Sequence, residues 1–218
     1  MSNNQLKMLA CCLMAVDHAA LIFLPKESAI YWAMRLVGRI AFPIFLFCLT
    51  EGFLHTRSRK KQSFLLFIFA CVSEGPFDIA FGYRWEQQNV LWTLLICYLM
   101  IWGIELFAAR LPFQIAIVIM ACLVAYFTRV DYRMAGILAC LLGYLGRRDK
   151  RVAGSLIPIP LLAQGSAVSV GTLLSTGILW LYSGKRGAVK MKYFFYVFYP
   201  MHLLLLAAIK YGCGFGQM

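Results

Sequence analysis

Apolar runs of about 20 residues follow one another along almost the whole chain, and they restrict its fold more than any other feature. A helix needs about 20 mostly apolar residues to cross the hydrocarbon core of a bilayer. Hydrophobic residues make up 62% of the 218 residues and charged residues 14%, whereas soluble domains contain roughly half and a quarter. The sequence therefore predicts an all-α, polytopic transmembrane helix bundle that forms a single domain over residues 1–218.

Nine segments are apolar enough to be spans, and a total of eight to ten is compatible with the pattern. We place them at 6–24, 31–54, 62–82, 89–108, 112–128, 131–146, 152–165, 167–183 and 192–211. The segment SLIPIPLLAQG has two prolines in a short run, which predicts a broken or re-entrant helix in the region 152–183. No internal repeat is visible in the sequence.

The basic residues predict the orientation of the bundle. With nine spans, fourteen of the 21 Lys and Arg residues fall on the side of the N-terminus and five on the opposite side, while Arg35 and Arg39 lie inside the second span. Because cytoplasmic loops are enriched in basic residues, we expect a cytoplasmic N-terminus and an outer C-terminus. The same distribution explains the net charge of +12 without a nucleic-acid partner. The cysteines lie mostly in apolar runs without metal-binding spacing, so we expect neither disulfides nor a metal site.

Several ionisable residues lie inside the predicted spans, where an unpaired charge is costly and a functional role is the default interpretation. The stretch CLMAVDHAALIFL places Asp17 and His18 side by side, about 16–18 Å from the cytoplasmic start of the first span. The other ionisable residues of this kind are His202 in the last span, Arg39 and Glu51 in the second, and Glu74 and Asp78 in the third.

The helical positions of these residues restrict which of them can meet. Adjacent helical residues point about 100° apart, so we expect one of Asp17 and His18 to line a cavity while the other pairs with a neighbouring helix. Arg35 and Arg39 share a helix face and can meet carboxylates of the first or third span, although Arg35 is close enough to the outer interface to extend toward water. The stretch TRVDYR, residues 128–133, is expected to be a solvated loop, with the lining of an outer vestibule as the alternative.

Histidines, carboxylates and arginines inside one bundle predict a polar cavity, which we expect to open toward the basic cytoplasmic residues. An enzyme would use His18 or His202 as a general base, because histidine changes protonation near physiological pH. A proton-coupled transporter of a small solute would use the same groups as a proton relay. Transporters are commonly built from internal repeats, so the absence of a visible repeat favours the enzyme.

Five phrases resemble one protein family in the same order: MAVDHAALIF, RLVGRIAFPIFLFCLTEGFLHTRSRKK, SEGPFDIAF, YRMAGIL and KYFFYVFYPMHLLLL. They are similar to the TraX family of membrane proteins, whose founding activity is N-terminal acetylation of a conjugative pilin. The resemblance implies an acetyltransferase of the bacterial inner membrane, with cytoplasmic acetyl-CoA as the donor. It leaves the acceptor open, since an amine or hydroxyl of a pilin-like peptide or of an envelope glycan could serve.

The resemblance, combined with the residues, implies a division of roles. His18, supported by Asp17, would deprotonate the acceptor or take the acetyl group itself, and His202 is the alternative base. The residues expected to bind the acceptor or stabilise the oxyanion are Arg39, Glu51, His55, Glu74, Asp78, Asn89 and Tyr199. The phosphates of acetyl-CoA are expected near Arg57, Lys60, Lys61, Arg147 and Arg148. Membrane lipids are the other expected partners, and homo-oligomerisation is left open.

Overall fold

The structure is a computed structural model that describes residues 1–83, 86–187 and 191–213, and most of these residues are helical. They form no β-strand, only an isolated parallel bridge between Gln88 and Val130. The all-α prediction is therefore confirmed. The helices are α1 (Asn3–Phe23), α2 (Ala29–Gly38), α3 (Ala41–His55), α4 (Arg59–Phe81), α5 (Val90–Leu106), α6 (Leu111–Phe127), α7 (Arg133–Leu145), α8 (Lys150–Leu156), α9 (Pro158–Leu162), α10 (Gly171–Trp180) and α11 (Lys192–Gly212), with a 3₁₀ helix (Ala167–Val170) before α10.

Four helical segments are long and apolar enough to cross a membrane: Asn3–Phe23, Ala29–His55, Arg59–Phe81 and Tyr193–Gly212. Helices α5, α6 and α7 are apolar but shorter. Within α6, the buried residues are Ala121 and Ala125, which leaves an apolar outer surface of the kind that faces lipid. The bundle is therefore of the membrane type. The number of complete spans and the orientation of the N-terminus stay predictions, and two of the basic residues counted for orientation, Arg84 and Lys190, lie outside the described residues.

The second predicted span is divided into α2 and α3, which separate at Arg39 and Ile40. Pro43 accounts for the break. In an uninterrupted helix its ring would clash with the carbonyl group four positions earlier, which belongs to Arg39. In the first turn of α3 the proline costs little, because amides there have no intrahelical acceptor. The break therefore places Arg39 at the junction of two helices.

The broken helix predicted for residues 152–183 is present. Helix α8 ends at Leu156 and α9 begins at Pro158, with Ile157 between them. Helices α8, α9 and α10 have 7, 5 and 10 residues, so each is shorter than the roughly 20 residues that a span requires. Gly171 begins α10 directly against the backbone of Leu36 in α2, where a Cβ atom would overlap the Leu36 carbonyl group.

Helix α3 forms the centre of the bundle and contacts α1, α5, α7 and α10. Most of its side chains are buried, among them Phe42, Ile44, Leu46, Phe47 and Phe53. Helix α11 runs along α4 and also contacts α1. This packing brings the C-terminal helix next to the N-terminal one.

Apart from the broken pairs α2–α3 and α8–α9, whose two parts follow one another, successive helices run alternately up and down, so their connections collect at two ends. At the N-terminal end, the backbone amides of Asn3 and Asn4 donate to the carbonyl oxygens of Lys185 and Arg186, and the turns after α3, α5 and α7 lie on the same side. The far end holds the loops that follow α1, α4 and α6, and there the ammonium group of Lys210 donates to the Ala80 carbonyl at 3.1 Å. With a cytoplasmic N-terminus, the far end faces outward.

Candidate functional site

A cavity of about 230 Å³ lies in the far half of the bundle. Its walls come mainly from α1 to α4, and its rim comes from the loops that follow α4 and α6. The polar residues that line it are Asp17, His18, Arg35, Arg39, Tyr83, Gln87, Asp131 and Tyr132, and the aromatic rings of Phe42, Phe45, Phe77 and Phe81 complete the wall. Small-molecule sites usually occupy about 300–1,000 Å³, so the cavity has room for a reacting group and the end of a larger substrate.

Two histidines from opposite ends of the sequence form a hydrogen-bonded pair at this cavity. The Nδ1 atom of His18 lies 2.8 Å from the Nε2 atom of His202, although the residues are 184 positions apart. The Nδ1 atom of His202 lies 2.9 Å from the carbonyl oxygen of Phe198 on the same helix. Phe81 and Tyr199 make edge-to-face contacts with the His18 ring, with centroids 5.1 Å and 6.4 Å away. The structure thus joins the two predicted bases into one histidine pair and places Tyr199 beside it.

Asp17 points away from the histidine pair, toward α2. Its Oδ2 atom accepts a hydrogen bond from Nη1 of Arg35 at 2.5 Å, and the two side chains are 12% and 10% exposed. Gly38 makes this approach possible, because a Cβ atom at that position would overlap the Asp17 side chain. Arg35 is therefore the counterion of Asp17 rather than a residue that extends to water. The predicted pairing of an arginine of the second span with a carboxylate of the first is present.

Arg39 and Tyr132 form the opposite wall of the cavity. The Nη1 atom of Arg39 donates to the Tyr132 hydroxyl at 3.2 Å, and the Tyr132 ring stacks on Phe42 with centroids 3.7 Å apart. Burial raises the pKa of the Tyr132 hydroxyl, so the phenol keeps its proton. Because the phenol oxygen accepts from Arg39, that proton is available to a ligand in the cavity.

The loop between α6 and α7 holds Tyr132 in a strained backbone conformation. Positive φ angles occur at Arg129 (53°), Tyr132 (60°) and Arg133 (42°), a region that costs about 1–3 kcal/mol per non-glycine residue and is concentrated at functional sites. The loop is anchored to α5, where the Thr93 hydroxyl donates to the Asp131 carbonyl at 2.5 Å. Burial raises the pKa of the Asp131 carboxyl above its ordinary value. Asp131 and Tyr132 therefore contribute to the cavity wall, whereas Thr128, Arg129 and Arg133 are exposed as expected of a solvated loop.

Glu74 and Asn89 lie together between α4 and α5, apart from the cavity lining. The Asn89 side-chain amide donates to the Glu74 carboxylate, and Nε1 of Trp92 donates to the same oxygen at 2.9 Å. The carbonyl oxygen of the Asn89 side chain also caps α5 by accepting from the Leu91 amide at 3.0 Å. These contacts join the start of α5 to α4. Asp78, one turn beyond Glu74, is likewise not among the lining residues.

Glu51 and His55 lie in the last turns of α3, near the N-terminal end. The buried Glu51 carboxylate accepts from the Tyr182 hydroxyl at 3.1 Å. The Nδ1 atom of His55 lies 2.8 Å from the Glu51 carbonyl oxygen. Neither residue lines the cavity, so the structure does not bring these two predicted acceptor-binding residues to His18.

The predicted phosphate-binding residues gather at the N-terminal end: Arg57, Lys60 and Lys61 at the start of α4, and Arg147 and Arg148 after α7. Two contacts at Glu105 tie these regions together, because Arg59 pairs with its carboxylate at 3.4 Å and the Tyr144 hydroxyl donates to it at 2.5 Å. The Arg147 guanidinium lies 3.9 Å from the centroid of the Tyr144 ring. Lys60 and Lys61 also border a separate, outward apolar groove formed with Ser63, Phe64, Phe67, Leu95 and Leu99.

The cavity and the basic residues therefore lie at opposite ends of the bundle. None of the five predicted phosphate-binding residues lines the cavity, whose rim is formed by Tyr83, Gln87, Asp131 and Tyr132. The expectation that the polar cavity opens toward the basic cytoplasmic residues is wrong. The reason is geometric, since Asp17 and His18 lie in the second half of α1, beyond the midpoint of the first span.

Sequence reasoning did not assign roles to several residues that complete the cavity: Gly38, Tyr83, Gln87 and Tyr132. A signal existed for Tyr132, because it begins the phrase YRMAGIL. Tyr83 and Gln87 belong to a polar connection without periodicity and gave none. In the part of the chain that the structure describes, no three His, Cys, Asp or Glu side chains are grouped to hold a metal ion.

The fold and the cavity define the class of this chain, which is a polytopic helical membrane protein with a polar cavity inside the bundle. The chain belongs to the TraX family, because the model of that family, described as TraX protein, matches residues 2–210. It is also similar to a protein of Dichelobacter nodosus named probable fimbrial assembly protein FimC, serogroup H1, with 29% identity over 236 aligned positions and 96% of each chain covered. No solved structure matches the chain. The family predicted from the five phrases is thus confirmed.

Proposed function

We propose that this protein is an acetyltransferase of the bacterial inner membrane. It transfers an acetyl group from cytoplasmic acetyl-CoA to an amine or hydroxyl group of a membrane-associated or exported acceptor. The observation that carries the proposal is that His18 lines the cavity and is hydrogen-bonded to His202 at 2.8 Å. A histidine that faces a cavity and is oriented by a second group has the arrangement that a general base needs.

In the transfer step, His18 takes the proton of the acceptor N–H or O–H group while the nitrogen or oxygen attacks the carbonyl carbon of the thioester. The C–S bond then breaks, and the sulfur of CoA leaves with the electron pair and receives the proton from His18. Negative charge develops on the carbonyl oxygen during the attack. The Arg39 guanidinium and the Tyr132 hydroxyl line the same cavity and can donate hydrogen bonds to that oxygen.

The two substrates approach from opposite ends of the bundle. The basic residues proposed to hold the CoA phosphates lie at the N-terminal end, whereas the cavity rim lies at the far end. His18 is about 18 Å from the cytoplasmic start of the first span. The acyl-bearing arm of acetyl-CoA therefore has to reach into the bundle, and the acceptor enters past Tyr83 and Gln87.

A pilin-like peptide is the first acceptor to test. The Dichelobacter nodosus relative is named as a fimbrial assembly protein, and the founding activity of the family is pilin acetylation. The cavity volume of about 230 Å³ admits the end of such a peptide rather than a folded domain. A hydroxyl group of an envelope glycan is the second acceptor to test, because the same base can deprotonate it.

The test uses purified protein in detergent with radiolabelled acetyl-CoA and, in parallel reactions, a pilin N-terminal peptide and a membrane glycan extract. Wild-type protein should transfer the label to one of them. The His18→Ala variant should lose about 100-fold or more of the rate, since a general base contributes about 10²–10⁴-fold. The matched control is Met120→Ala, a truncation on the outward face of α6 where Met120 is 57% exposed, and it should keep the wild-type rate.

Two results would contradict the proposal. If folded wild-type protein neither binds nor consumes acetyl-CoA, acetyl-CoA is not its donor substrate. Proton-coupled transport of a small solute would then be the function to test. If His18→Ala is folded and as active as Met120→Ala, His18 is not the general base.

A further inference from the structure

The hydrogen bonds of His202 determine which of its ring nitrogens carries a proton. Its Nδ1 atom lies 2.9 Å from the Phe198 carbonyl oxygen. A carbonyl oxygen can only accept, so the proton of this bond belongs to Nδ1. His202 is 7% exposed, and its hydrogen-bond partners among the described residues include no carboxylate; a buried ring of this kind favours its neutral form. In a neutral imidazole with a proton on Nδ1, the Nε2 atom has a lone pair and accepts.

The same reasoning then fixes the proton of His18. The Nε2 atom of His202 lies 2.8 Å from Nδ1 of His18. Because this Nε2 atom is an acceptor, Nδ1 of His18 must be the donor and must carry the proton. The Nε2 atom of His18 is consequently left with a free lone pair. His18 lines the cavity whereas His202 does not, so the free lone pair belongs to the ring that a substrate can reach.

We propose that His202 is a positioning residue that locks His18 in the Nδ1-protonated tautomer, so that Nε2 of His18 is the reacting nitrogen. Free histidine in water favours the other tautomer, with the proton on Nε2, which could not act as a base at that atom. The description of Nε2 as the base rests on the proposed acetyl transfer, whereas the tautomer assignment does not. Asp17 is not the group that orients His18, because its carboxylate is engaged by Arg35 at 2.5 Å.

The pair can also hold an extra proton without moving a heavy atom. When Nε2 of His18 takes a proton from the acceptor, the Nδ1 proton of His18 can pass along its hydrogen bond to Nε2 of His202. His18 is then neutral with its proton on Nε2, and His202 carries the positive charge while Nδ1 still donates to the Phe198 carbonyl. The reverse transfer returns the proton from Nε2 of His18 to the leaving sulfur. The positive charge is thus shared by two rings during the reaction.

The chain is well suited to a direct test, because it has three histidines. Nitrogen NMR of detergent-solubilised protein labelled with ¹⁵N-histidine distinguishes protonated from unprotonated ring nitrogens. His55 serves as an internal reference, since its Nδ1 atom makes the same type of contact with the Glu51 carbonyl at 2.8 Å. We expect both His18 and His202 to have a protonated Nδ1 and an unprotonated Nε2. A proton on Nε2 of His18 in the wild-type protein would overturn the proposal.

Two variants separate positioning from packing. In His202→Gln the side-chain carbonyl can still accept from Nδ1 of His18, so the tautomer should be retained. In His202→Leu the acceptor is absent, and His18 should show signals of both tautomers. In transfer assays His202→Leu should lower kcat by about 100-fold with the KM for acetyl-CoA unchanged, because a base in the wrong tautomer can lose as much as about 10⁴-fold, and His202→Gln should retain most of the rate.

The outcomes distinguish this proposal from the proposed function. The expected tautomers in a protein that does not consume acetyl-CoA would support the histidine arrangement and count against acetyl transfer. Acetyl transfer by a protein whose His18 has its proton on Nε2, or whose His18 signals do not change in His202→Leu, would overturn the positioning role and leave the transferase in place. The measurement on wild-type protein needs no variant, so it stands even where His202→Leu does not fold.

Discussion

Asp17 and His18 are neighbours in the sequence, yet each belongs to a different interhelical contact. Adjacent helical side chains diverge by about 100°, and here one meets α2 and the other meets α11. Asp17 has an arginine counterion, and His18 has a neutral partner that can share a proton. Burying either side chain inside the bundle without a partner would cost free energy, and each has one. His18 nevertheless still lines the cavity.

The ion pair of Asp17 and Arg35 should be important for stability because it is buried. Its side chains are 12% and 10% exposed, whereas those of Glu105 and Arg59 are 30% and 37% exposed. Arg35→Gln would leave a carboxylate buried without its counterion and should cost about 3–5 kcal/mol. Arg59→Gln is the matched control and should cost about 1 kcal/mol or less. Denaturant unfolding in detergent measures both, and equal losses would contradict this account.

Gly38 should tolerate no side chain, because a Cβ atom there would overlap the carboxylate of Asp17. We expect Gly38→Ala to lower the free energy of unfolding by about 1–3 kcal/mol, the usual cost of overpacking. The control is Gly177→Ala in α10, where an added Cβ atom would have no neighbour within 4 Å and no proline follows. That variant should be as stable as the wild type or more stable, since alanine favours helix by about 1 kcal/mol. A Gly38→Ala variant that behaves like Gly177→Ala would show that α1 and α2 can move apart freely.

At the scale of helices, Pro43 should keep α2 and α3 separate. In Pro43→Ala the clash with the Arg39 carbonyl is removed, so residues 29–55 can form one helix and the amides of Ala41 and Phe42 gain acceptors. Hydrogen exchange of these amides should slow. Rotation of Arg39 away from Tyr132 should lower the acetyl-transfer rate by about 100-fold, the effect of a displacement of about 1 Å at a reacting centre.

Pro112 supplies the control for this prediction. It also lies in the first turn of its helix, α6, but a non-helical segment precedes it. Pro112→Ala should therefore change neither the exchange near Arg39 nor the transfer rate. If Pro43→Ala gives the same result as Pro112→Ala, the break between α2 and α3 has another cause.

The helices could be predicted from the sequence far better than the contacts between them. Apolar runs located every long helix, and the prolines at 158 and 160 revealed the break between α8 and α9. The spacing of Arg35 and Arg39 correctly placed an arginine opposite a carboxylate. The contact of His18 with His202 had no local signal, because it spans 184 positions and depends on how α11 packs beside α1. The roles of Glu74 and Asn89 were similarly hidden, since their mutual hydrogen bond depends on the packing of α5 against α4.

At the scale of the whole molecule, the basic residues proposed to bind the donor and the cavity proposed to admit the acceptor lie at opposite ends. Composition could predict the basic end, because basic residues accumulate in cytoplasmic loops. It could not predict that the cavity opens at the other end, because the rim is formed by two loops, after α4 and α6, that meet only in the folded bundle. The bridge between Gln88 and Val130 holds these loops together.

This arrangement predicts which residues are accessible from each side of the membrane. The exposed cysteines Cys12, Cys71 and Cys213 are replaced by serine, and single cysteines are introduced as Glu86→Cys beside the cavity rim and Arg148→Cys after α7. An impermeant maleimide should label Glu86→Cys in intact spheroplasts and Arg148→Cys only after lysis, because the fourteen-to-five excess of basic residues orients the N-terminal end toward the cytoplasm. The reverse pattern would show that the cavity opens toward the cytoplasm, so that the acceptor and acetyl-CoA would both approach from that side. Labelling of both residues only after lysis would contradict the alternating course of the helices between them.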